Sequence, residues 1–205
     1  MLRLFTPIGD VMADPLEEAE TRVRALQTYQ VTLHATGADG ERQVMRYFYR
    51  KPGWVRIECV DPHHGVVLIY DPATRRARVW PLGLGSVPVL SLAPDNRLIR
   101  SPRGHHIDRS DVGALLESLR ALGERGSVSS LEDAIVSGRT AVGFEIVAAA
   151  GVAVDGVHRN RVWLAHDTLF PLRVESFGSG DELIETVELV DAELDVRFPE
   201  GFFTP

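Results

Sequence analysis

Cysteine is nearly absent from this chain: Cys59 is the only one in 205 residues. No disulfide can close within the chain, and cysteine usage leaves the redox compartment open. Basic excess is missing too. Twenty-two Lys and Arg stand against 29 Asp and Glu, a net charge of −7, whereas a nucleic-acid footprint needs a basic patch. No run reaches the roughly 18 apolar residues of a membrane helix. The opening residues, Met1 to Asp10, lack an apolar core of about 7 residues before a small-residue cleavage site, so the expectation is either no export or a signal already removed. Internal repeats and low-complexity segments are absent. What is present is an ordinary globular composition, 44% hydrophobic and 25% charged, at a length that suits one domain with a sizeable core.

Residues 1–13 read as an N-terminal arm and 14–205 as one domain. Asp14, Pro15 and Glu17 open a helix by capping, ring geometry and dipole, and Leu16, Ala19, Val23 and Leu26 form its apolar stripe. Strands follow at spacings of about 8–12 residues, separated by Pro, Gly and Asp turns, which describes an antiparallel meander. In the first, Tyr29, Val31, Leu33 and Ala35 alternate with Gln30, Thr32, His34 and Thr36. Residues 81–108 break the regularity with seven Pro and Gly among many aliphatics; such a segment is expected to cover an apolar surface, or else to be a plain excursion with a short edge strand. Ser110 then caps a second helix with the stripe Val112, Leu115, Leu116, Leu119 and Leu122. Strands resume after Gly126. The last third holds two strand-like runs around the turn Gly178–Asp181; even positions from Ile184 to Phe198 are expected on one face and Asp191, Glu193, Asp195 and Arg197 on the other.

A twisted antiparallel sheet of about 9–11 strands is expected to curl. The predicted fold class is α+β: a strongly curved half-barrel with two helices plugging its concave side. The chain also resembles a known family. Leu169–Phe177, Val190–Leu194 and Phe198–Phe203 look like the closing segments of the outer-membrane lipoprotein-sorting (LolA-like) superfamily. Tyr29–Leu33, Arg50–Arg56, Val67–Asp71 and His106–Asp108 fit the order of its upstream pieces, so the resemblance spans roughly residues 15–203. It implies a half-barrel with a helical lid, a cavity for acyl chains, and a periplasmic or cell-envelope location. Carriers, lipid-binding lipoproteins and stress-sensing regulators share that fold, so no cargo is implied. No lipobox cysteine is present, and a lid-locking arginine has four candidates: Arg46, Arg56, Arg161 and Arg173.

Catalytic signals are thin, and the chain is read as no enzyme, with no cofactor and no metal. His63–His64 and His105–His106 are neighbours on turns, not convergent ligands. Gly178–Gly180 lacks the spacing of a nucleophile elbow, and Gly83–Gly85 opens no helix, so it is not a phosphate loop. Cys59 sits between apolar strand positions as a small hydrophobe. The candidate cavity residues are Phe48, Trp54, Trp80, Leu115, Leu119, Leu122, Phe144, Ile146, Trp163 and Leu172; the aromatics among them could equally fill a core. The expected function is binding or carriage of a hydrophobic ligand, a lipid or lipoprotein acyl chain, in a bacterial envelope, with an envelope protein as a further partner. The alternative is a sensor or scaffold of the same fold, its interior filled, that binds a protein through an edge strand or loops and carries no lipid.

Overall fold

The computed structural model describes residues 14–101 and 106–205. The expected arm, 1–13, and His105 lie outside those residues. Helix α1 (Pro15–Ala25) begins where Asp14 accepts a hydrogen bond from the Leu16 amide at 3.0 Å, with Pro15 in its first turn. Leu16, Ala19 and Val23 are buried along one stripe, as their helical spacing requires. Then come β1 (Thr28–Gly37), β2 (Arg42–Arg50), β3 (Trp54–Asp61), β4 (Val67–Asp71), β5 (Arg76–Trp80) and the short β6 (Leu90–Leu92). Helix α2 (Val112–Gly123) follows, and then β7 (Gly126–Val136), β8 (Arg139–Ala148), β9 (Arg159–Ala165), β10 (Pro171–Phe177) and β11 (Leu183–Leu194). The cap of α2 is Asp111, which accepts from the Ala114 amide at 3.1 Å. Ser110, the expected cap, instead donates to the Ile107 carbonyl.

All eleven strands belong to one antiparallel sheet in the order β6-β5-β4-β3-β2-β1-β11-β10-β9-β8-β7. The first and last strands meet in the middle and join two meanders. This corrects the expected half-barrel. The sheet is open and not strongly curled: β6 and β7 stand at its two ends and do not pair with each other. Its physical reason is that both faces are occupied, so the sheet is a layer between two coverings instead of a wall around a vacancy.

On one face lie the helices and the main core. Tyr29, Leu16, Leu116, Leu119, Leu122, Ile146, Leu164 and Phe170 are each no more than 2% exposed there, and each such side chain contributes about 1.5–3 kcal/mol by leaving water. The helices lock to each other through Arg120–Glu20 at 2.7 Å and Arg24–Glu117 at 3.1 Å. They lock to the sheet through the buried Tyr29 hydroxyl, which accepts from the Val112 amide at 2.9 Å. The opposite face carries two further clusters. Phe48, Val67, Ile69, Trp80 and Phe203 make one, with Trp54, Phe198 and Phe202 packed on it. Val136, Ala141, Ala165 and Leu172 make the other, beside Trp163.

One strand departs from the expected alternation. Opposite Gln30 to Thr32 the register of β11 shifts, so that Gln30 faces Glu193 while Thr32 faces Val190. Asp191 sits in this bulge at φ 53°. The extra residue changes the phase of the strand. Val187 and Leu189 pack on the helix side before it, Ala192 and Leu194 after it.

Candidate functional site

The ten candidate cavity residues do not converge. Leu119, Leu122 and Ile146 are buried in the main core, with Leu115 and Phe144 packed against it. Phe48, Trp54 and Trp80 lie in the cluster of the opposite face, and Leu172 and Trp163 in the second cluster there. Five therefore stand on each side of the sheet. The signal that separates them is in the sequence. Phe48 shares strand parity with Arg46 and Arg50, Trp54 with Arg56, and Trp80 with Arg78; arginine marks the face away from the helices. Their guanidinium groups lie over aromatic rings on that face: Arg56 is 4.1 Å from the Phe202 ring centre and Arg50 is 4.7 Å from that of Phe203. Contacts of this kind stabilise both partners.

The four lid-lock candidates are all on that same arginine face. Arg46 and Arg56 both pair with Glu58, Arg161 with Glu145, and Arg173 with Glu188. Arg56 also donates to the Phe202 carbonyl at 2.7 Å. Arg46, Arg161 and Arg173 tie strand to strand, while Arg56, paired within β3, holds the C-terminal segment down.

Burial foremost raises the pKa of Tyr29 and of Tyr47 well above the usual phenol value, so both stay protonated; Tyr47 shares a hydrogen bond with Ser110 at 3.1 Å. Burial likewise raises the pKa of the Cys59 thiol, which disfavours its thiolate form. His63 and His64 are exposed on their turn. Among the described residues no three His, Cys, Asp or Glu side chains are grouped to hold a metal. No helix among them is long and apolar enough to cross a membrane. Two open hollows are present: one of about 290 Å³ beside Asp39 and Glu185, and one of about 350 Å³ between Arg24, Tyr49 and Asp111. Both are open to solvent, and the second has the core residues Val23 and Tyr29 in its wall.

What the fold does present is an open edge. β7 runs eleven residues, and Gly126 to Ser130 are all exposed. Its inner side pairs with β8 from Gly126↔Ala148 to Val136↔Arg139. Its outer side pairs with no strand among the described residues. The run Gly126-Ser127-Val128-Ser129-Ser130-Leu131 carries no charge and no proline, and it ends at an irregularity between Leu131 and Ala134 that contains Glu132 and Asp133. Unpaired amides and carbonyls on such an edge are a template for another strand. Val128 and Ser130 lie opposite Ile146 and Phe144, on the helix side. The sequence pattern marks a strand around Ser129 to Val136, but its position at the end of the sheet is revealed only by the strand order.

No protein-family model matches the chain, and no curated protein matches it in sequence. Solved structures do match. An uncharacterized conserved protein from Thermus thermophilus is similar with a TM-score of 0.57 at 10% identity, over 92% of this chain and 91% of that one. The MucA/MucB complex of Pseudomonas aeruginosa gives a TM-score of 0.55 at 16% identity, over 92% of this chain and 61% of that one. MucB in complex with MucA(peri) gives 0.56 at 15% identity, over 93% and 57%. This chain therefore spans about three-fifths of the chains it matches in those complexes. At such identities the likeness is one of fold: the chain shares its fold with MucB and with the Thermus thermophilus protein.

Proposed function

We propose that this is a non-enzymatic protein of a bacterial cell envelope that binds a protein partner, and that β7 receives an extended segment of that partner as a twelfth strand. The observation that carries the reading is the uncharged, unpaired run Gly126–Leu131 at the end of a sheet whose two faces are already filled. Strand addition draws affinity from main-chain hydrogen bonds and specificity from alternate side chains. Here Val128 and Ser130 would meet one set of those side chains, and Glu132 and Asp133 favour basic residues at one end. The surroundings agree: residues 110–205 hold 17 Asp and Glu against 7 Arg. Support also comes from the MucB structures, in which a chain of this fold is in complex with MucA. Carriage of a lipid gains no comparable support, because its candidate residues divide between two faces.

The test uses protein purified from its own host. Hydrogen exchange is measured on the chain with and without its co-purifying partner, alongside native mass spectrometry. Protection of Gly126–Leu131 in the complex is the expected result. A stoichiometric lipid adduct with no partner, or protection confined to other elements, overturns the reading.

A further inference from the structure

The other end of the sheet is also exposed, and its chemistry is different. Nine large apolar side chains reach solvent among the described residues, and five of them lie in the segment that surrounds β6: Leu82 (77%), Leu84, Val87 (81%), Val89 and Leu98 (77%). The pairs Ala77↔Leu92 and Val79↔Leu90 fix their positions. Leu82, Leu84, Val87 and Val89 lie beyond the Trp80 end of β5, and Leu98 lies beyond its Arg76 end. Between Arg75 and Arg100 the sequence has five arginines and one acid, Asp95. Of these arginines Arg75, Arg76, Arg97 and Arg100 are exposed. Thus a chain of net charge −7 gathers positive charge and bare aliphatic side chains on one margin.

We propose that this margin rests on the surface of an anionic phospholipid bilayer, with Leu82 and Val87 entering the headgroup boundary and Arg76, Arg97 and Arg100 meeting phosphates. Exposed aliphatics beside cations are the signature of interfacial binding, in which apolar burial and attraction to anionic lipid add. A protein partner suits the margin less well. β6 offers only three residues for strand pairing. The aliphatics are exposed on a loop, so a folded partner would need a matching hollow for each, whereas a fluid surface needs none. The acidic β7 end would then face away from the lipid, where a soluble partner can reach it.

The test is flotation of the full chain with vesicles of phosphatidylcholine alone and of phosphatidylcholine mixed with phosphatidylglycerol. The parent is expected to float with the mixed vesicles only, and to be released by high salt. Leu82→Asp/Val87→Asp and Arg97→Glu/Arg100→Glu should each lower the bound fraction at least about fivefold, with unchanged melting because all four positions are exposed. Val128→Lys/Ser130→Lys on β7 should float no less than the parent, so that failure at one margin is not read as failure at the other. Equal flotation of parent and margin variants, a parent that ignores anionic vesicles, or a dimer in solution that both margin variants dissociate would each overturn the proposal.

Discussion

At one end of the sheet β6 is three residues long, and the nearest prolines, Pro88 and Pro94, stand two residues outside it on either side. At the other end β7 is eleven residues long and contains none. The charge differs as well: residues 42–109 hold 12 Lys and Arg against 5 Asp and Glu, while residues 110–205 hold 7 Arg against 17 Asp and Glu. The coverings differ in kind. Near β6 the outer face is sealed by the C-terminal segment, where Phe198, Phe202 and Phe203 pack on Phe48 and Trp54. Near β7 the weight lies on the helix face, where α2 contacts β7 and β8. The first end prevents strand pairing by being short and irregular. The second leaves half of a long strand unguarded, and natural proteins rarely do so without a use for it.

The comparison can be broken most forcefully at the aromatic seal. Phe203 is 1% exposed among Trp54, Phe198 and Phe202. Phe203→Ala should lower stability by about 3–5 kcal/mol in denaturant unfolding, and hydrogen exchange should rise in β2 to β5 before β7. Uniform loosening would mean that the two halves are not separately covered. A smaller effect is expected at Gly126, where a Cβ would lie 1.9 Å from the Val147 carbonyl oxygen. Gly126→Ala should cost about 1–3 kcal/mol by forcing the backbone apart and should weaken partner binding with it.

Val128→Lys/Ser130→Lys sharpens the comparison further. It should leave the melting temperature unchanged while lowering partner affinity at least about tenfold, or about 1.4 kcal/mol, as calorimetry would report. The smallest effect concerns pH. Hydrogen bonds from Arg161, against burial, and then from Arg159 hold the Glu145 carboxyl below its usual range. A depressed carboxylate adds stability above its unfolded value, near about 4.3, and loses it as pH falls through the lower folded value. Glu145→Gln should therefore destabilise by under about 1 kcal/mol at neutral pH, and thermal melts of the two proteins should converge in acid.

Much of this was legible in the chain itself. The stripes of α1 and α2, the alternation of β1 and the hairpin turns follow from local spacing, and the local pattern survived folding. Curvature was not legible, because it depends on what lies on the second face. That is decided by contacts between Phe48 or Trp80 and a segment more than a hundred positions away. The arginine parity of Phe48, Trp54 and Trp80 was available and would have assigned them to that face. The bulge at Asp191 was not, since it is set by the strand across from it. The importance of β7 depended on strand order, which alternation does not encode.

The pairing of β1 with β11 has a consequence for how the molecule is made. Gln27 and Asp195, joined by a hydrogen bond at 2.9 Å, are 168 positions apart in the chain. Each meander can zip from neighbouring hairpins, but the join between them waits until the second meander has been made. During synthesis β1 stands with one flank bare until β11 arrives. That temporary flank, and neither finished margin, is where an incomplete chain is most open to capture by a chaperone or a neighbour.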